Sequence, residues 1–312
     1  MEDLPVEAVA RRCGDMELPE SGHDPVLMGE VLEGLGLGEG KTMVDCTLGR
    51  AGHASEVVKR LGKAGRFIGL DVDPRNLEFA KARLAGAACE VRLFHANFAE
   101  LGDVLKELGL AGVDGILADL GISTNQLFEE HYGMSFSSAM PLDMRIDPRI
   151  GRSAADLVNT MPEEELANVL YELAQERCSR RIARKIGAER RISPITTTDR
   201  LADLVRSAVG HTNERIDAAT RTFLALRMAV NQELENLEVL LRDGPRFLNR
   251  GGRLAVISFQ SMEDRLVKQA FRSAEQTGAV RVLTKKPVGP LDDEVTRNPR
   301  SRSAKLRVVE KS

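Results

Sequence analysis

The stretch from Lys41 to Asp71 limits what this chain can fold into more than any other. A short apolar run at Met43 and Val44 enters a glycine turn, Gly49-Arg50-Ala51-Gly52-His53. Ala54, Val57, Val58 and Leu61 follow at helical spacing, and a second apolar run from Arg66 ends in Asp71. A strand that feeds directly into a helix needs a tight turn, and glycine adopts one at low steric cost. Glycines also let backbone N–H groups approach a ligand beside a helix N-terminus. An acid closing the next strand can accept hydrogen bonds from two ribose hydroxyls.

Strand, glycine turn, helix, strand and acid in that order describe an adenosine-containing cofactor held at the carboxyl edge of a parallel sheet. The turn lacks the G-x-G-x-x-G spacing that cradles a pyrophosphate, so a nicotinamide-dependent oxidoreductase is the weaker reading. In Asp71-Val72-Asp73-Pro74, Asp73 is the expected cap of a helix opening at Pro74, and Asp71 the expected ribose ligand.

The alternation continues along the chain. A helix over 74–84 leads to a strand over 90–95, a helix near 101–108 and a strand over 113–119 that ends in Asp119. Only helical patterns follow over 153–217, beginning with a capping box at Ser153 and Asp156. A long helix over 220–241 precedes a central strand over 253–259, a helix capped at Ser261, and two last strands paired antiparallel. The expected class is α/β: a doubly wound, mostly parallel sheet with an antiparallel last strand and an inserted all-α domain. Residues 1–22 read as a flexible acidic extension, 23–150 and 218–312 as the core, and 151–217 as the helical insertion. At the start of the core, Pro25 is expected in the first turn of a helix capped by Asp24.

Composition removes several function classes. Net charge is -3 and there is no Trp, which disfavours a general nucleic-acid coating protein. Two stretches are nonetheless basic, 177–191 and 297–307. The four cysteines form no CxxC pair, so neither a structural metal site nor a disulfide framework is expected, and a reducing cytoplasm is the simpler setting. No apolar run is long enough to span a membrane.

Seven motifs in order carry a resemblance to a known family. They are Gly49 to His53, Asp71 to Pro74, Asp119 to Ser123, Pro141 to Arg145, Ala219 to Phe223, Ser258 to Arg265 and Asn298 to Ser303. Together they closely resemble the RsmH (MraW) family of bacterial S-adenosylmethionine-dependent 16S rRNA (cytosine-N4)-methyltransferases, from about His23 to Arg307. The resemblance implies a Rossmann-like class I methyltransferase core and S-adenosyl-L-methionine as cofactor. It implies that Ala51, Gly52 and His53 line the methionine end of the cofactor, Asp71 takes the ribose, Phe98 borders the adenine, and Asp119 and Gln126 complete the site. The partner it implies is 16S rRNA within the small ribosomal subunit, modified in the decoding region near the P site. This chain departs from the family at Ala51, where glycine is usual and where alanine would be strained in a left-handed turn.

Methylation of an exocyclic amine needs a held nucleophile and acceptors around it. Asp119, and secondarily Asp143, are the candidates for orienting the amine; Asp143 reads equally well as a loop acid paired with Arg145. Cytosine C5 chemistry would need a cysteine nucleophile, and the loop from Asp119 to Ser123 has none. Arg177, Arg180, Arg181, Arg184 and Lys185, with Arg297, Arg300, Arg302, Lys305 and Arg307, are the expected phosphate contacts, each also readable as a solvated surface. The alternative from another class is a non-catalytic ribosome-assembly factor that retains the fold.

Overall fold

The computed structural model describes residues 25–211 and 216–312. The acidic extension over 1–22 and the Asp24 cap lie outside the described residues. Among the described residues, the chain falls into two compact units, one of residues 25–121 with 234–312, the other of 122–211 with 216–233.

The first unit is built on one seven-stranded sheet of order β3-β2-β1-β4-β5-β7-β6. Its strands are β1 (Thr42–Asp45), β2 (Arg66–Asp71), β3 (Glu90–His95), β4 (Val113–Asp119), β5 (Leu248–Ser258), β6 (Val280–Val282) and β7 (Lys305–Lys311). The first five run parallel, and β7 is antiparallel to both β5 and β6. Central strands buried on both faces need apolar residues throughout, and Ile116, Leu117 and Ala118 on β4 are fully buried. One face packs under the helices Leu101–Glu107, Glu233–Asp243 and Ser261–Gln276 through Leu105, Leu240 and Val267. The other packs under Met28–Leu35, Gly52–Leu61 and Pro74–Arg83 through Leu35, Val57 and Ala80. This is the doubly wound arrangement. Chain order reverses between β1 and β4, so a crevice opens at their carboxyl ends, where ligands of such sheets bind.

Three local expectations change. The helix after Pro25 starts at Met28, because Leu27 is left-handed at φ 55°. The long helix expected over 220–241 is two helices, Thr220–Asn231 and Glu233–Asp243, separated by Gln232 at φ 50°. The break is held from both sides. Asn231 Nδ2 donates to the Met144 carbonyl at 2.8 Å and its Oδ1 accepts from Ile146 N–H at 2.9 Å, while Arg227 grips Glu233 at 2.7 and 2.8 Å. Lastly, the cap of Ser261–Gln276 is Gln260, closed by Glu263.

The second unit is helical: Ala154–Thr160, Glu163–Ala174, Ser179–Glu189, Thr198–Val209 and Thr220–Asn231. Ser153 and Asp156 close the expected capping box. By its contacts this unit is wider than the insertion read over 151–217. Leu142 and Met144 from the preceding loop, and Phe223, Leu226 and Val230 from the following helix, bury in one core with Leu166, Ile182 and Leu201. Apolar spacing marks the helices of such a unit but not the loop that packs beneath them. Among the described residues, no helix is long and apolar enough to cross a membrane.

Candidate active site at the carboxyl ends of the central strands

Three neighbouring parallel strands end in a carboxylate: Asp45 on β1, Asp71 on β2 and Asp119 on β4. The glycine turn leaves β1 with Gly49 at φ 52° and Ala51 at φ 60°, both left-handed, before the helix opens at Gly52. For alanine that conformation costs roughly 1–2 kcal/mol, so Ala51 is strained, as its departure from glycine implied. Its side chain is fully buried, and the packing around the turn holds it there.

The carboxylates and the turn brace one another. Asp71 Oδ2 accepts from Gly49 N–H at 2.7 Å and Oδ1 from Asp73 N–H at 2.8 Å, with the Asn76 amide at 3.4 and 3.5 Å. Asp73 caps the next helix by accepting from Arg75 N–H at 3.0 Å. Asp45 accepts from Thr47 N–H at 3.1 Å, and Thr47 Oγ1 in turn accepts from Asp119 N–H at 2.6 Å. Thus Thr47 ties the end of β1 to the end of β4.

Burial shapes the charge. Asp119 is pushed up to about 8, first by desolvation and then by the negative charges of Asp45 and Glu263. Asp45 rises to about 7 by desolvation, against the Thr47 hydrogen bond, and Asp71 to about 6 by desolvation, against the bonds from Asp73 and Gly49. His53 is lowered to about 4 by burial. Its Nε2 lies 2.8 Å from the Val26 carbonyl, which can only accept, so Nε2 carries the hydrogen. Nδ1 then offers a lone pair, 3.7 Å from Asp119 Oδ2. The other oxygen, Asp119 Oδ1, is buried and has no hydrogen-bond partner among the described residues.

That orphaned oxygen and the facing imidazole lone pair fit a ligand that brings N–H donors or positive charge, which burial otherwise leaves unmet. Asp71 retains lone pairs beyond those given to the turn, and so can still accept from a ribose. The chemistry of the donor set therefore fits an amino-acid-bearing adenosine cofactor.

The other predicted residues fall as follows. Phe98 opens the turn after β3, half-buried against the core. Gln126 belongs to the helical unit, where it is buried and accepts from Ser123 N–H at 3.0 Å. Asp143, also in that unit, is gripped by Arg145 at 2.7 Å through both oxygens, which commits its carboxylate to the loop. Arg307 is not a surface cation: it is buried and bonds Asp264 at 2.7 Å. Arg180 bonds Asn168 and Arg181 the Val209 carbonyl, while Arg184 pairs loosely with Glu163 at 3.9 Å. Sequence reasoning missed Asp45, Thr47 and Glu263. Asp45 had a readable signal, since it closes an apolar strand as Asp71 and Asp119 do. Glu263 had none, because its burial depends on a cap to Phe259 and Gln260 N–H at 2.9 and 3.0 Å.

A doubly wound sheet with a glycine turn and strand-end carboxylates at its switch point defines a Rossmann-like α/β protein with its ligand crevice at the β1–β4 edge. Comparison with known proteins narrows that class. The chain belongs to the MraW methylase family, whose sequence profile matches residues 20–312. It is 46% identical over 297 residues to the ribosomal RNA small subunit methyltransferase H of Acidobacterium capsulatum, covering 93% of this chain and 98% of that one. It is 45% identical to the protein of that name from a Geobacter species, covering 93% and 98%. The corresponding Clostridioides difficile protein is 39% identical, with 94% and 99% covered.

Proposed function

We propose that this chain is an S-adenosylmethionine-dependent methyltransferase that methylates the exocyclic N4 of a specific cytidine in 16S rRNA. The target is in the decoding region near the P site of the small ribosomal subunit, and the reaction is cytoplasmic. The observation that carries this reading is Asp119: a strand-end carboxylate beside the glycine turn with one buried oxygen unpaired.

S-adenosylmethionine, when bound, supplies an already activated methyl group. Asp71 would accept from the ribose, Ala51, Gly52 and His53 would line the methionine end, and Phe98 would border the adenine. Gln126 is assigned to the same cofactor by position in the family. What remains for the protein is to hold the amine in line and exclude water. N4 of cytosine is a weak nucleophile, because its lone pair is delocalised into the ring. Acceptors aimed at its hydrogens favour the charge that develops on nitrogen, and Asp119 at the end of β4 is such an acceptor. A base inside folded RNA must be splayed out to reach the crevice. The exposed basic side chains of Ser179–Glu189 in the helical unit, Arg180 and Arg184 among them, are the candidate phosphate contacts.

Mass-spectrometric mapping of methylated cytidines in 16S rRNA, with and without the gene, tests this. One N4-methylated cytidine should disappear with the gene and return with the purified protein. Cofactor binding with no methylated cytidine would favour an assembly factor that has kept the fold.

A further inference from the structure

The acids at the strand ends, two of them buried and Asp119 half-buried, outnumber their counter-charges. His53 from the helix Gly52–Leu61 lies 3.7 Å from Asp119, which is also within electrostatic reach of Asp45 on β1 and of Glu263 on the helix Ser261–Gln276; Asp45 is in turn within reach of Asp71 on β2. Among the described residues, no lysine or arginine pairs with Asp45, Asp71 or Asp119. Asp45 is 2% exposed, Asp71 7% and Glu263 3%, while the Asp119 side chain is 25% exposed with its Oδ1 buried. Thr47, which sits between Asp45 and Asp119, offers only neutral hydrogen bonds.

Two acceptors aimed at each other do not rest comfortably at 3.7 Å. His53 Nδ1 holds a lone pair, and an ionised Asp119 would hold another. Like charges crowded into a low-dielectric site cannot all ionise, and the cheapest relief is to retain a proton. Asp119 is where that proton belongs, because it has an unpaired buried oxygen and the His53 lone pair opposite.

We propose that the carboxylates of Asp45, Asp119 and Glu263, with His53 beside Asp119, form a charge-selective, proton-linked element of the cofactor site: the cluster holds a proton when free, surrenders it to solvent when the cationic methyl donor binds, and keeps it when the neutral thioether product is bound. The inference rests on the reading of this edge as an S-adenosylmethionine site. The donor carries one positive charge more than the product that methyl transfer leaves. A fully ionised cluster therefore favours the donor, and a protonated one tolerates the product. Exchange of product for donor then occurs with release of a proton, so the site takes the donor more readily as pH rises, without any change in shape.

The sign follows from mass action. Protons compete with the donor for the same carboxylates, so donor affinity rises with pH, by up to about tenfold per unit while the cluster is protonated, and levels off above about pH 8. Product affinity stays nearly flat.

The test is titration calorimetry of the full chain at pH 7.0 with S-adenosylmethionine and S-adenosylhomocysteine, in phosphate and in Tris. The difference in heat between the two buffers counts protons. The expected result is close to one proton released per donor bound, markedly fewer per product, and a donor-to-product affinity ratio that climbs between pH 6.5 and 8. Asp45→Asn and Glu263→Gln, which keep the shape of the site and thin its charge, should lower the proton count and flatten that climb. Both ligands binding with no proton count and a flat ratio would overturn this inference and leave the site assignment standing. Failure of both ligands to bind the wild-type chain would overturn the two together.

Discussion

His53 Nδ1 lies 3.7 Å from Asp119 Oδ2, while Nε2 of the same ring is 2.8 Å from the Val26 carbonyl. The second contact fixes the tautomer, which leaves Nδ1 an acceptor that an ionised Asp119 repels and a protonated one can meet. The histidine of the glycine turn therefore also turns its lone pair toward the acid that closes β4.

Stability should fall as pH rises across neutrality. Asp119, Asp45 and Asp71 are held above the ordinary carboxylate value, at about 8, 7 and 6, so the folded state binds protons that the unfolded chain has lost. Their contribution is fully present below about pH 4 and is lost as pH climbs through those values. His53, lowered to about 4, acts in the opposite sense: its contribution is present above about 6.5 and lost as pH falls through 4. Of these four groups only the carboxylates act between pH 6.5 and 8.5, and thermal melts of the ligand-free protein should show Tm decreasing. Asp119→Asn should melt higher than wild type, by a margin that widens toward pH 8. Methyl transfer by the same variant should drop about 100-fold. A Tm that rises over that pH interval would contradict the assignment.

Asp71 has two duties, and substitutions should separate them. Asp71→Ala removes the acceptor of Gly49 and Asp73 N–H, which costs about 1–3 kcal/mol as well as ribose acceptors. Asp71→Asn keeps one acceptor oxygen and should melt closer to wild type, yet bind S-adenosylmethionine at least tenfold more weakly. Calorimetry beside thermal melts distinguishes the two. Wild-type affinity in both variants would remove Asp71 from the cofactor site.

Gly133 tests the loop that belongs to the helical unit. It is left-handed at φ 60°, and a Cβ there would lie 1.9 Å from the Pro141 carbonyl oxygen. Backbone cannot yield as a flexible side chain does, so Gly133→Ala should destabilise the helical unit by more than about 2 kcal/mol. Urea unfolding should show the helical signal lost at lower denaturant. An unchanged midpoint would mean that this loop does not brace its core.

The basic stretches should divide into a structural part and an RNA-binding part. Arg307→Ala leaves Asp264 without its principal partner and should lower Tm by several degrees, because breaking a buried pair strands its other half. Arg177→Glu with Arg184→Glu should leave Tm nearly unchanged, weaken binding to small-subunit particles, and reduce the salt slope by about one per cation lost. An unchanged slope would place RNA docking elsewhere.

Sequence by itself determined the sheet, its order of alternation and the presence of a helical stretch after β4, though not the extent of the helical unit, because apolar periodicity and glycine turns are local consequences of backbone geometry. It also picked out Asp71 and Asp119, which close apolar strands, and Asp73, whose cap to Arg75 spans neighbouring residues. Tertiary structure alone decided the break at Gln232, which depends on Asn231 meeting the backbone of a loop more than eighty residues earlier. It decided that Arg307 is buried against Asp264 rather than displayed, and that Asp143 is spent on Arg145. Most of all it decided the charge of the site. Asp45, Asp119 and Glu263 are far apart along the chain, and only folding brings their desolvation and repulsion into one place, where each acid alters what the others can hold.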